Sequence, residues 1–178
     1  MLQVISKKLV SHEFSNVQFD MPKSLANDII AWGKENIPSS DLYTEGTKYG
    51  RENEIHVTVK YGLHTTDFKK IQNTVDGFGT FSIKLGNVSR FVPSGKDYDV
   101  VKIEIDGKEL SDLHSLLGKL PNSDEHPVYH AHCTVAYVKK GCCSDLSGNS
   151  DLKGKTAKVN CLTFCSKLGG QTEIDLKG

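Results

Sequence analysis

An α+β fold of two duplicated lobes is what this sequence predicts, on two observations. The first is a repeated pattern: His56-Val57-Thr58-Val59-Lys60-Tyr61 returns as His132-Cys133-Thr134-Val135-Ala136-Tyr137, His-x-Thr-Val-x-Tyr both times. The second is the order of elements around it. A strand, a helix, a loop and the motif strand run from Val17 to Tyr61, and again from Val100 to Tyr137, with further strand material after each. Two copies make an internal duplication rather than a solenoid. Apolar faces need covering, so the economical architecture is two lobes, each an antiparallel-rich sheet covered by helices. The lobes meet at the motif strands around a central cleft with one His-x-Thr per lobe. The chain, residues 1–178, is read as a single two-lobed domain.

Each element has its own signal. Val17 to Met21 reads as a short strand, and Pro22 opens a helix where its missing N–H costs nothing. Leu25, Ile29 and Trp32 form the apolar stripe of that helix to about Glu35, and Ile37-Pro38-Ser39-Ser40 stops it. A loop from Asp41 to Arg51 follows, then the first motif strand, Ile55 to Tyr61. Thr65-Thr66-Asp67 caps a short helix carrying Phe68, Ile71 and Val75, which Gly77 and Gly79 end. Phe81, Ile83 and Leu85 alternate as a strand that Val88 to Val92 extends, and Tyr98 to Ile105 pairs with it as a hairpin. Asp106-Gly107 leads into a helix with Leu110, Leu113, Leu117 and Leu120 toward the core, broken by Pro121-Asn122. The second motif strand spans Val128 to Val138. Gly141 to Lys155 reads as a long surface loop, and Val159 to Cys165 and Thr172 to Leu176 as two strands joined at Gly169-Gly170.

Lys plus Arg and Asp plus Glu each total 22 of the 178 residues, so there is no basic excess of the kind that coats long nucleic acid. A small nucleotide or oligonucleotide, or a nucleic-acid end, fits this balance better than a duplex. No apolar run is long enough for a membrane span, and Met1 to Val10 lacks a signal-peptide pattern. The five cysteines, Cys133, Cys142, Cys143, Cys161 and Cys165, form no disulfide framework. They suit reduced thiols, so the expected location is the cytoplasm. Protein partners are not indicated.

Side chains alternate along a strand, which puts His56, Thr58 and Lys60 on one face and Val57, Val59 and Tyr61 on the other. In the second copy His132 and Thr134 oppose Cys133, Val135 and Tyr137. Two histidines across a cleft can divide acid–base work, one neutral and one protonated, because imidazole titrates near pH 6.5. A threonine two residues along can donate to a phosphate oxygen as charge builds. The arrangement needs neither metal nor cofactor, and it suits a phosphodiester, cyclic and RNA-type linkages above all.

The paired His56-x-Thr58 and His132-x-Thr134 resemble the signature of the 2H phosphoesterase superfamily, also called LigT-like or 2′-5′ RNA ligase-like. The wording around them, Glu54 to Gly62 and Tyr129 to Tyr137, is similar to small phage and bacterial members. The resemblance spans about Val17 to Leu176. It implies a two-lobed duplicated fold and metal-independent phosphodiesterase activity, with His56, Thr58, His132 and Thr134 as the catalytic set. Members open 2′,3′-cyclic phosphates, process RNA ends or cleave 2′-5′ oligoadenylates. Some viral members destroy cyclic-oligonucleotide immune signals, which for this chain would mean a host cytoplasm. Which histidine is base stays open at this stage.

Other residues carry two readings each. His56 and His132 could be structural, but the matched threonines favour an acid–base pair. His130 shares the face of His132 and could line the cleft or be a partly exposed structural residue. Lys60 could neutralise phosphate or reach solvent from its strand. Tyr43, in the loop from Asp41 to Arg51, is a candidate substrate contact within what is otherwise a solvated connection. Lys139 and Lys140 dress a loop. Tyr61 and Tyr137 read as core, and His12, His64, His114 and His126 as solvated. A zinc site of His130, His132, Cys142 and Cys143 is disfavoured because adjacent cysteines serve one tetrahedral ion poorly. A binding module that holds a nucleotide without turnover is the alternative to an enzyme.

Overall fold

The computed structural model describes residues 12–46, 48–124, 126 and 128–177. The N-terminal stretch read for a signal peptide lies outside the described residues. Eight strands and three helices follow in the order β1 (Ser15–Asp20), α1 (Lys23–Asn36), β2 (His56–Leu63), α2 (Phe68–Val75), β3 (Phe81–Phe91), β4 (Tyr98–Asp106), α3 (Lys108–Leu117), β5 (His132–Lys139), β6 (Thr156–Val159), β7 (Cys161–Cys165) and β8 (Gln171–Asp175). The α+β class holds. The apolar stripes behave as their spacing demands: Leu25, Ile29 and Trp32 are buried on α1, and Leu110, Leu113 and Leu117 on α3. Asp67 caps α2 by accepting a hydrogen bond from the Lys69 N–H.

The strands form one antiparallel sheet in the order β6-β3-β4-β5-β2-β1-β7-β8. Its two halves join where β2 meets β5, through the pair Val57↔Cys133. Each half takes a strand from the other copy of the duplicated unit. β3, which follows the first motif strand, pairs with β4, and β7, which follows the second, pairs with β1. The helices cross over too: α3 packs on β2 and α1 on β5. Gly33 of α1 is what permits the second contact, since a Cβ there would lie 2.8 Å from Cγ1 of Val135.

Three elements depart from expectation. Val159 to Cys165 is not one strand: it breaks at Asn160 into β6, paired with β3 at one end of the sheet order, and β7, paired with β1 one strand from the other end. A single residue can join them only because the sheet curls round on itself. The second motif strand begins at His132 rather than Val128, because Glu104, the partner of His132, stands two residues before the end of β4. Val128 is left 61% exposed. Gly141 to Lys155 is not a solvated loop. Cys143, Leu146 and Leu152 are buried in the core, and its backbone bonds to Leu85 and Val88 across the register shift of β3.

The largest correction concerns alternation within the motif itself. Val17 pairs with Lys60 and Gln18 with Thr58, so Val59 is an extra residue, a β-bulge. Val101 pairs with Ala136 and Lys102 with Thr134, so Val135 is the same bulge in the second copy. Beyond each bulge the faces exchange. Lys60 turns inward, 4% exposed, and Tyr61 turns outward, 44% exposed.

Candidate active site

Each motif strand presents its histidine in the same way. Nδ1 of His56 lies 2.9 Å from the Glu54 carbonyl, and Nδ1 of His132 lies 2.7 Å from the His130 carbonyl. A carbonyl only accepts, so Nδ1 is the protonated nitrogen in both rings. Nε2 is thereby the nitrogen left for proton transfer. One step along each strand from the Val57↔Cys133 pair sets His56 beside Thr134 and Thr58 beside His132. The four residues share one face about a local pseudo-twofold axis. Thr58, His132 and Thr134 line a cleft of about 410 Å³, and His56 flanks it on the neighbouring strand. That volume suits a nucleotide-sized ligand.

Behind each histidine the next strand supplies a carboxylate. Asp20 of β1 is paired with His56 and Glu104 of β4 with His132. Asp20 accepts hydrogen bonds from the Gln18 amide at 2.6 Å and the Thr163 hydroxyl at 2.6 Å. Glu104 accepts from Lys102 and Ser89, and Lys102 also donates to the Ser89 hydroxyl at 2.8 Å. The motif alone does not include these residues. Their trace in the sequence is a second repeat, Val17-Gln18-Phe19-Asp20 against Val101-Lys102-Ile103-Glu104.

Burial holds His132 below the usual imidazole range; the bond to the His130 carbonyl and the charge of Glu104 oppose this, and the charges of Lys102 and His56 add to it. Burial raises Glu104, but its bonds from Lys102 and Ser89 outweigh that and leave the carboxyl below its ordinary value. Glu52 is raised by burial, with His56 acting in the other direction.

The remaining candidates are placed differently. His130 is exposed and lines the cleft. Lys60 does not face it: its ammonium is buried in an ion pair with Asp124 at 2.7 Å. Tyr43 is not a lining residue. It packs in an aromatic cluster, 5.1 Å from Tyr49 and 5.3 Å from Tyr98 between ring centroids. Tyr61 and Tyr137, expected in the core, line the cleft together with Tyr98, because the bulges turn them there. His114 is not solvated either. It stacks on Tyr129 with centroids 4.3 Å apart, and its Nδ1 donates to the Val59 carbonyl at 2.8 Å. Among the described residues no three His, Cys, Asp or Glu side chains gather as metal ligands would. No helix there is long and apolar enough to cross a membrane.

No protein-family model matches the sequence, and no curated protein matches it. Solved structures do match in shape. LigT of E. coli complexed with 3′-AMP superposes with a TM-score of 0.65 at 15% identity, covering 92% of this chain and 95% of that one. Usb1 of Kluyveromyces marxianus gives 0.64 at 10% identity, covering 94% of this chain and 100% of its own. TT0787 of Thermus thermophilus gives 0.64 at 12% identity, covering 93% of this chain and 98% of that one. The fold is LigT-like. That agrees with the resemblance carried by the two motifs, which at these identities is a likeness of architecture.

Proposed function

We propose that this chain is a 2H-type phosphodiesterase of small nucleotides and oligonucleotides, working as a single domain without metal or cofactor. His56 and His132 exchange protons with the attacking and leaving oxygens, and Thr58 and Thr134 donate to the non-bridging oxygens. One observation supports this above the others. Two histidines and two threonines lie on one face about a pseudo-twofold axis, both rings held by Nδ1 with Nε2 left for the chemistry. A purely structural histidine has no reason to repeat that tautomer lock beside a matched threonine.

The tyrosines turned into the cleft supply flat apolar surfaces suited to nucleobases, and His130 at the rim is a further substrate contact. LigT and Usb1 have been seen with 3′-AMP and uridine monophosphate, respectively, which favours a nucleotide on the same face here. Within that class the candidates are cyclic di- and trinucleotide signals and 2′-5′ oligoadenylates, with 2′,3′-cyclic ends of RNA as the alternative.

Turnover of that panel in EDTA, followed by chromatography, is the test. Cleavage is expected in wild type, with His56→Ala and His132→Ala each losing at least about 10²-fold. Near-normal turnover in either variant overturns the mechanism, and loss of wild-type activity in EDTA overturns metal independence. Tight binding without cleavage would make the protein a nucleotide sponge. Cleavage of cyclic oligonucleotides would identify a signal-degrading enzyme, and of 2′,3′-cyclic ends alone an RNA-processing one.

A further inference from the structure

The quartets behind the two histidines are the same construction with one substitution. In the β1 half, Asp20 stands opposite His56 and Gln18 opposite Thr58, with Thr163 on the next strand. In the β4 half, Glu104 stands opposite His132 and Lys102 opposite Thr134, with Ser89 on the next strand. The bonds correspond: the hydroxyl to the carboxylate and the i−2 side chain to the same carboxylate. Gln18 is neutral and Lys102 is a cation. Among the described residues the carboxylate of Asp20 is therefore held by the neutral donors of Gln18 and Thr163, and that of Glu104 is matched by a charge.

Lys102 is 9% exposed, yet it lines the cleft, the only lysine or arginine to do so among the described residues. An ammonium carries three donors. Ser89 and Glu104 take two of them, which leaves one for a ligand. Around His132 the charged neighbours are Lys102 and Glu104 on β4 and His56 on β2. Around His56 they include Asp20 on β1, Glu52 and Glu54 upstream on its own segment, and His132. A carboxylate stands behind each histidine, and among the described residues only the β4 half adds a cation to it.

We propose that Lys102, standing where the other half has Gln18, gives this pseudo-symmetric cleft its chemical direction: it holds a non-bridging phosphate oxygen in the β4 half and makes His132 the base and His56 the acid. This rests on the phosphodiesterase reading above. Nε2 of neutral His132 takes the proton of the attacking hydroxyl as its oxygen bonds to phosphorus. The bond from phosphorus to the leaving oxygen breaks, and that oxygen takes the proton from Nε2 of His56 imidazolium. The ammonium beside His132 disfavours a second cation there before attack, and the β1 half, with Gln18 in the matching place, has no such ammonium beside His56 among the described residues.

Lys102→Gln tests the idea with little risk to folding, because the β1 half already holds Gln beside a carboxylate in the same setting. The first measurement is NMR titration of the His132 ring in the full chain without substrate. Its midpoint is expected below the ordinary imidazole value, to rise in Lys102→Gln and to stay low in Lys102→Arg. An unchanged midpoint in Lys102→Gln overturns the proposal. The second measurement is hydrolysis of bis(4-nitrophenyl) phosphate, whose leaving group needs no acid. His56→Ala is expected to retain most turnover on it and His132→Ala to lose it, with the reverse pattern overturning the assignment. On a nucleotide substrate Lys102→Gln is expected to lose about 10- to 100-fold in kcat/KM, the scale of one charge-assisted hydrogen bond. The titration needs no turnover, so a wild-type protein that cleaves nothing refutes the phosphodiesterase reading while the His132 midpoint still decides the part of Lys102.

Discussion

Two residues of the same type in the same motif are in unequal surroundings here. Burial is the chief cause that shifts His132 toward its neutral form, and that has a consequence for stability independent of any substrate. Its folded pKa lies below the unfolded value, so at pH below about 6.5 the unfolded chain binds a proton that the folded chain resists. The unfolded state then binds more protons, and stability falls as pH falls. His132→Gln, which cannot titrate, is expected to flatten that decline as pH falls below about 6.5. Denaturant midpoints across that range check it, and parallel curves for wild type and variant would refute it. Lys60 shows the opposite relation of charge to burial. Its partner Asp124 feels burial raising it, and the bonds from Lys60 and the His126 N–H lower it further than that. Removing either member of such a pair strands a buried charge, so Lys60 is a structural cation and Lys102 is the one exposed to the cleft.

At the scale of elements, the two bulges decide what the motif strands present. A regular strand would have sent Tyr61 and Tyr137 into the core beside Val57 and Cys133. One extra residue at Val59 and at Val135 turns them onto the histidine face and turns Lys60 and Ala136 away from it. The bulge of β5 is backed by α1 at Gly33, where no side chain fits against Val135. Gly33→Ala gains about 1 kcal/mol in helix propensity and costs about 1–3 kcal/mol in overpacking against a stiff β-branched side chain. The balance is a loss of about 1 kcal/mol, which should lower Tm by about 2–4 °C by calorimetry. A raised Tm would mean that α1 can move off the bulge without cost.

The whole molecule is a duplication whose copies exchange strands. Because β3 completes the half built on β4, and β7 the half built on β1, neither copy owns a complete sheet. Thermal unfolding should accordingly be one cooperative transition with equal calorimetric and van't Hoff enthalpies. A separately expressed fragment ending at Val92 should not fold. Two resolved transitions, or a folded fragment, would contradict the single-domain organisation proposed for this chain.

The duplication, the helices and the four motif residues were legible in the sequence because each rests on local spacing: period two for strands, three and four for helices, and an exact repeat of His-x-Thr. The repeat of Gln18-x-Asp20 as Lys102-x-Glu104 was there to be read as well, but without the register nothing attaches it to the histidines. Only the tertiary structure decided which residues face the cleft beyond Thr58 and Thr134, because a bulge is set by the pairing of two strands and leaves no trace in the alternation of either one. It also decided that Asn160 ends one strand and starts another. Curling brings β6 at one end of the sheet order round to β7 near the other, and closure of that kind depends on every strand between them.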